Sequence, residues 1–228
     1  MLSIVIPTLD AAATLGATAA ALGAGPRDLE LADMEVIVAD GGSRDGTLDL
    51  ARSAGFKVVK APPGRGPQLA AGAAAAAGDW LLFLHADTVP GPGWARAVAD
   101  FMAAPGNGTR AAVFTFALDD PSRAARRVEA LVAWRTRVLG LPYGDQGLLV
   151  ARDFYRALGG YKPLPLMEDV DLVWRIGKHR LAVLPVAAAT SAEKYRRDGF
   201  VLRPARNLLC LGLYLMGLPL PWIERLYR

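Results

Sequence analysis

Trp80-Leu81-Leu82-Phe83-Leu84-His85-Ala86-Asp87-Thr88 is an apolar run that stops abruptly at a His-x-Asp pair, with Pro90 and Gly91 just beyond it. A short apolar run bounded by polar and turn-forming residues is the pattern of a buried strand. Open α/β sheets bind ligands beyond the carboxyl ends of their strands, so Asp87 stands where a carboxylate holds a metal ion or a phosphate-bearing ligand.

Outward from this run, Leu2 to Ile6, Glu35 to Ala39 and Phe56 to Lys60 read as further strands. Ala11 to Leu22, Asp45 to Ala54 and Pro67 to Ala77 read as the helices between them. Strands alternating with helices predict a mostly parallel sheet covered by helices on both faces. On the other side of the run the pattern is less regular. Ala111 to Leu118, Gly147 to Ala151 and Leu181 to Leu184 read as strands, and Ser122 to Leu139, Asp153 to Leu158 and Met167 to Ile176 as helices. No internal repeat or linker divides the chain. It reads as a single α/β domain, with a nucleotide-like half over 1–90, a less regular half over 91–198, and an apolar C-terminal helical segment over 199–228.

The chain has 228 residues, enough to bury a sizeable core, and 53% of them are hydrophobic, many of them alanine. Its net charge of +4 suits anionic partners such as phosphates, nucleotides or an acidic membrane surface, and does not by itself point to nucleic acid. One cysteine, Cys210, excludes an internal disulfide framework and fits a reducing compartment. The start lacks a basic stretch ahead of its apolar residues, so a cytoplasmic location is expected. Leu208 to Ile223 is nearly all apolar, but it is shorter than the ~20 residues of a spanning helix and carries Pro219 and Pro221. Flanked by Arg203, Arg206, Arg225 and Arg228, it suits the surface of an anionic bilayer at the inner face of the membrane, the core, or the interface of a homodimer.

Several strand ends carry polar groups that would converge along one sheet edge. Pro7-Thr8-Leu9-Asp10 follows the first strand and Asp40-Gly41-Gly42-Ser43-Arg44-Asp45 the second. The glycine pair permits a tight turn or a close approach to a ligand, and Asp40 can accept hydrogen bonds from a base or ribose. Arg65, in the Pro62 to Pro67 turn, lies where a cation meets a diphosphate. Asp145 and Gln146 form a second polar turn able to bind hydroxyls. Asp171 is spaced to pair with Arg175 at i+4. Trp134, Tyr143 and Trp174 read as core aromatics, and Lys194 to Arg197 as solvated charges.

Taken together, Ser3 to Thr8, Val38 to Thr47, Leu84 to Asp87 and Glu168 to Leu172, in this order, resemble family 2 glycosyltransferases. The resemblance implies a GT-A (Rossmann-like) fold and a metal-dependent, inverting transfer of one sugar from a nucleotide diphosphate sugar to an acceptor hydroxyl. It also implies that Pro7, Thr8 and Asp40 contact the nucleoside, with Arg65, His85 and Ala86 near the same pocket. Asp87 stands at the family's Asp-x-Asp metal position, for Mn²⁺ or Mg²⁺, with His85 in place of the first aspartate. Imidazole suits Mn²⁺ better than Mg²⁺, which prefers oxygen. The catalytic base falls on Asp169, with Glu168 second, and Asp145 and Gln146 face substrate. A UDP-sugar is the favoured donor by resemblance; the acceptor is not identified. The Gln-x-x-Arg-Trp segment of processive synthases is absent, as are the Gly-x-x-x-x-Gly-Lys and Gly-x-Gly-x-x-Gly phosphate signatures. The rival readings are an inactive nucleotide-sugar-binding module and a sugar nucleotidyltransferase, the latter disfavoured because Leu9 to Thr14 has neither glycine nor a basic residue.

Overall fold

In the computed structural model, which describes residues 1–24 and 34–227, β1 (Leu2–Thr8) runs through the middle of an eight-stranded sheet. It pairs in parallel with β2 (Met34–Asp40) on one side and β4 (Trp80–Phe83) on the other, and β3 (Lys57–Lys60) extends the sheet beyond β2. The alternation within β1 explains its burial on both faces. Leu2, Ile4 and Ile6 join one apolar cluster, whereas Val5 joins another with Ile37 and Leu69. Helices α1 (Ala12–Ala24), α2 (Thr47–Ser53) and α3 (Arg65–Ala75) connect these strands. Helix α3 lies very close to β1: a Cβ on Gly72 would sit 2.3 Å from Val5 Cγ1. The helix also begins two residues earlier than expected, at Arg65.

The strand order is β3-β2-β1-β4-β7-β6-β8-β5, where β5 is Thr88–Pro90, β6 Ala111–Leu118, β7 Leu148–Ala151 and β8 Leu181–Thr190. Strand β7 is antiparallel to both β4 and β6, and β5 is antiparallel to β8, while β6 and β8 run parallel. The mostly parallel α/β sheet flanked by helices is therefore as expected.

Three expectations need correction. Strand β8 continues past Leu184 to Thr190, because the pairing with β6 shifts register between Val113 and Thr115. This irregularity accommodates Pro185, whose missing N–H would otherwise break the ladder. The arginine-rich helix α5 (Arg123–Trp134), capped by Ser122 Oγ accepting from the Ala125 N–H at 3.1 Å, gives way to a wider π-type turn over Arg135–Leu139. Helix α4 (Trp94–Ala103) was not anticipated, although Trp94, Val98 and Phe101 turn one buried stripe to the sheet.

Beyond α6 (Arg152–Ala157) and α7 (Glu168–Ile176), the chain ends in α8 (Glu193–Asp198), α9 (Leu202–Leu215) and α10 (Leu220–Tyr227). Cys210, Leu211 and Ile223 are buried against Met167, Val170 and Leu141, so the apolar C-terminal segment does pack on the fold. Leu208, Leu209, Met216 and Trp222 nevertheless stay exposed. Among the described residues, no helix is long and apolar enough to cross a membrane.

Candidate active site

The carboxyl ends of β1 and β2 are held together by Asp40. Thr8 Oγ1 donates to Asp40 Oδ1 at 3.0 Å and Ser43 Oγ to the same oxygen at 2.5 Å, while the Gly42 and Ser43 N–H groups donate to Oδ2 at 2.9 Å. Burial would raise the pKa of this carboxyl, but the hydrogen bonds from Ser43, Gly42 and Thr8 outweigh it and hold the group below its ordinary range. Asp10 takes a left-handed backbone (φ 51°) and stitches the two loops. Its N–H donates to Ser43 Oγ at 2.9 Å and its Oδ1 accepts from the Arg44 N–H at 2.8 Å. Buried Gln68 ties the same edge from α3, donating through Nε2 to the carbonyls of Thr8 (2.5 Å) and Ala39 (3.0 Å).

Beside this edge lies a polar pocket. Arg65 opens α3, His85 and Asp87 follow β4, Tyr143 to Asp145 come from the turn before β7, Asp169 from the first turn of α7, and Lys194 from α8. The Gly144 N–H donates to Asp169 Oδ2 at 2.8 Å. A Cβ at Gly144 would lie 2.7 Å from His85 Nε2 and 3.5 Å from Asp169 Oδ2, so glycine lets the turn, the imidazole and the carboxylate meet. The pocket's electrostatics follow from its crowding. Burial, reinforced by the Arg65 cation, pushes the His85 imidazole down to about 4 against the pull of Asp87 and Asp169, and so keeps it neutral at neutral pH. Burial pushes Asp145 up to about 6, with Arg135 opposing and Asp169 and Asp87 adding to the rise. Asp145 Oδ1 is buried with no hydrogen-bond partner. An unmatched buried acceptor of this kind is costly unless a ligand brings it a donor.

Met167, the residue before α7, has a left-handed backbone (φ 63°), which is strained for a side-chain-bearing residue and turns the chain directly into Glu168-Asp169. Glu168 is buried against Arg65 in a smaller adjoining cavity that Asp169 also lines. Burial first, and the Asp169 charge second, push Glu168 up to about 7, against the attraction of Arg65. Arg65 remains a cation: the charges of Glu168, Asp169 and Asp87 outweigh the cost of its burial.

The raised Glu168 has a thermal consequence. A glutamate in the unfolded chain is ionised above about pH 4.3, so the folded state holds an extra proton that it releases as pH rises through about 7. Stability contributed by the protonated form is present at low pH and lost on the way up. His85 acts lower, between about 4 and its free value. The melting temperature should therefore fall between about pH 6.5 and pH 8, and Glu168→Gln should flatten that slope. An unchanged slope in the variant would refute the assignment.

The pocket thus gathers Arg65, His85, Asp87, Asp145 and Asp169 from four separate segments, with Glu168 adjoining. Pro7, Thr8 and Asp40 lie on the neighbouring β1–β2 edge, with Pro7 opposite Ala39 and Thr8 opposite Asp40. Ala86 is buried, its side chain in the core and its carbonyl accepting from Thr18 Oγ1 at 3.0 Å. Gln146 is buried with both amide ends engaged, Oε1 accepting from Thr136 Oγ1 (2.9 Å) and Nε2 donating to the Phe114 carbonyl (3.1 Å). It holds the turn in place from behind the pocket. Asp171 pairs with Arg175, as its spacing suggests, and also with Lys162 at 2.7 Å.

The solvated reading of Lys194 to Arg197 is corrected in part. Lys194 lines the pocket, whereas Arg196 bridges Asp119 and Asp120 and Arg197 pairs with Asp198 on the surface. Trp134 and Trp174 are each 53% exposed and are not core, while Tyr143 lines the pocket under the Arg135 guanidinium, 3.5 Å from its ring centroid. Asn207 and Tyr227, from the C-terminal helices, also line the pocket, and nothing in their local sequence marks them.

Among the described residues no three His, Cys, Asp or Glu side chains form a ready-made cation cage. The donor set at Asp87, with a neutral imidazole beside it, fits a divalent ion that takes one or two protein ligands and completes its shell with phosphate oxygens and water.

The family model described as "Glycosyl transferase family 2" matches residues 3–154. No curated protein sequence matches the chain. Among solved structures, the chain is similar to glucosyl-3-phosphoglycerate synthase from Mycobacterium tuberculosis in complex with Mn²⁺, UDP and glucosyl-3-phosphoglycerate. The TM-score is 0.67 at 23% identity, covering 96% of this chain and 81% of that one. The same enzyme with Mg²⁺ and UDP gives a TM-score of 0.65 at 22% identity, covering 96% and 80%. At these identities the likeness establishes the fold. The family model spans the β1 edge, the Gly-Gly loop and the His-x-Asp strand end, and with the shared GT-A fold it makes this chain a member of glycosyl transferase family 2.

Proposed function

We propose that the chain transfers a single sugar, with inversion, from a nucleoside diphosphate sugar to an acceptor hydroxyl, and that the donor is a UDP-sugar. The observation that carries this reading is the gathering of Arg65, His85, Asp87, Asp145 and Asp169 in one pocket at the carboxyl edge of the sheet. Solved neighbours include complexes with UDP or UDP-glucose and Mn²⁺ or Mg²⁺, which favours uracil over other bases.

In this reading Asp169 is the general base. Its Oδ2 is oriented by the Gly144 N–H, and it takes the acceptor's proton as the acceptor oxygen bonds to the anomeric carbon. The bond from that carbon to the diphosphate oxygen breaks in the same displacement, and a single displacement inverts the centre. Arg65 and Lys194 face the departing diphosphate as cations, and Asp145 binds sugar or acceptor hydroxyls. Asp87, with His85 beside it, would hold a divalent ion, which when bound would supply Lewis-acid neutralisation of the charge on the leaving group. Pro7, Thr8 and Asp40 form the nucleoside end, where the hydrogen bonds around Asp40 keep the loop rigid.

Calorimetric titration of UDP and GDP, with and without Mn²⁺, tests this. Mn²⁺-dependent binding of UDP is expected, weakened about ten- to a hundred-fold by Arg65→Ala, which removes charged hydrogen bonds to the diphosphate. Failure of both nucleotides to bind in the presence of Mn²⁺ would overturn the reading.

A further inference from the structure

A groove of about 410 Å³ runs from the polar pocket along the surface between α5 and α9. Its volume falls within the range of small-molecule sites, roughly 300–1,000 Å³. Its walls are apolar: Val128, Leu131 and Trp134 on the α5 side, Val201, Pro204 and Leu208 on the other. Leu131, Trp134, Val201 and Leu208 are each more than half exposed, an arrangement that leaves apolar surface in water along a concave path. The groove does not end blindly. Tyr143, Tyr195 and Asn207 line both it and the polar pocket, so the two share a wall. At this junction Asn207 Oδ1 and Arg135 Nη2 are buried without hydrogen-bond partners. A polar, unmatched neck thus separates a charged pocket from an apolar channel, the profile of an amphipathic ligand with its head at the pocket and its chain in the groove.

We infer that the acceptor is a hydroxyl-headed molecule with an aliphatic chain, the hydroxyl reaching Asp169 and the chain lying between α5 and α9. This rests on the glycosyltransferase reading of the pocket. Asn207 Oδ1 accepts from a head-group hydroxyl, Arg135 Nη2 donates to a head-group oxygen, and the chain covers Leu131 and Leu208. The continuation of exposed apolar side chains from Leu208 and Leu209 to Met216 along α9 fits a ligand drawn from an apolar phase.

The test uses glycerol and its 1-O-butyl and 1-O-octyl ethers as probes, below their micelle concentrations, titrated into the protein saturated with UDP and Mn²⁺. Each fully buried methylene contributes about a four-fold gain in affinity, and in a groove open on one side about two-fold. The octyl ether should therefore bind about sixteen-fold more tightly than the butyl ether. Leu131→Glu and Leu208→Glu change opposite walls at exposed positions, so a melting temperature close to that of the unchanged protein confirms folding. Each should remove most of the chain-length dependence. Equal affinity for all three probes, or undiminished dependence in both variants, would overturn the inference while leaving UDP binding, and with it the proposed function, intact. A groove closed by a second copy of the chain would overturn it too: sedimentation would then show a dimer that Leu131→Glu dissociates and octylglycerol does not. Absence of UDP binding in the same samples would instead remove the reading on which the inference rests.

Discussion

Asp169→Asn should lower the rate of sugar transfer by about 10²–10⁴-fold, the loss typical of a general base, with little change in UDP affinity. Asparagine has the same shape and keeps an oxygen to accept from the Gly144 N–H, so the turn and the neighbouring His85 stay in place. What it loses is the ability to take a proton. The choice of Asp169 over Glu168 is physical. Asp169 lines the main pocket, whereas Glu168 faces the adjoining cavity, is 2% exposed, and is pushed up to about 7. Its burial and the neighbouring Asp169 charge draw Glu168 towards its protonated form. Its nearest task is to share charge with Arg65, so Glu168→Gln should act chiefly on stability and its pH dependence. Steady-state transfer by the two variants, compared at saturating donor, decides between them: an inactive Glu168→Gln beside an active Asp169→Asn would reverse the roles.

The parts of this architecture legible in the sequence are those whose signal is local. Continuous apolar runs such as Leu2 to Ile6 and Trp80 to Leu84 declare buried strands, and polar residues at their ends declare the binding edge. Asp40 and Asp87 stand at such strand ends, whereas Asp169, in the first turn of α7, is picked out only by the family resemblance of Glu168 to Leu172. Strand β8 was half hidden because Pro185 argues against a strand unless a bulge receives it, and the bulge exists only through pairing with β6. The end of α5 was misplaced for a similar reason: the apolar and basic spacing continues through Leu139, while the hydrogen-bonding pattern widens at Arg135. Lys194, Asn207 and Tyr227 reach the pocket only because α9 and α10 fold back over α7 and α8 packs against β6 and α5, tertiary events without a local mark. Gln146 shows the reverse. Its polar type in a polar turn suggested a substrate contact, yet both ends of its amide are used to anchor the turn.

Asp87→Ala should abolish the effect of Mn²⁺ on UDP binding and lower kcat/KM by about 10²–10³-fold, since a metal ion contributes several kcal/mol of charge stabilisation to such a transfer. The expectation follows from how few alternatives the pocket offers. No three-residue cation cage exists among the described residues, so in the proposed reading the ion would depend on Asp87, a neutral His85 and the oxygens of the diphosphate. Asp145 is close enough to feel the charge of Asp87 but is pushed towards its protonated form, and Asp169 is tied to Gly144. Neither is a ready substitute. His85→Ala should weaken the Mn²⁺ effect less, because imidazole contributes a ligand without charge, and should weaken the Mg²⁺ effect least, because Mg²⁺ prefers oxygen. Calorimetry with each ion separates these contributions. If Mn²⁺ strengthens UDP binding equally in the unchanged protein and in Asp87→Ala, the ion is held elsewhere, and the strand end at His85-Ala86-Asp87 serves the fold rather than the leaving group.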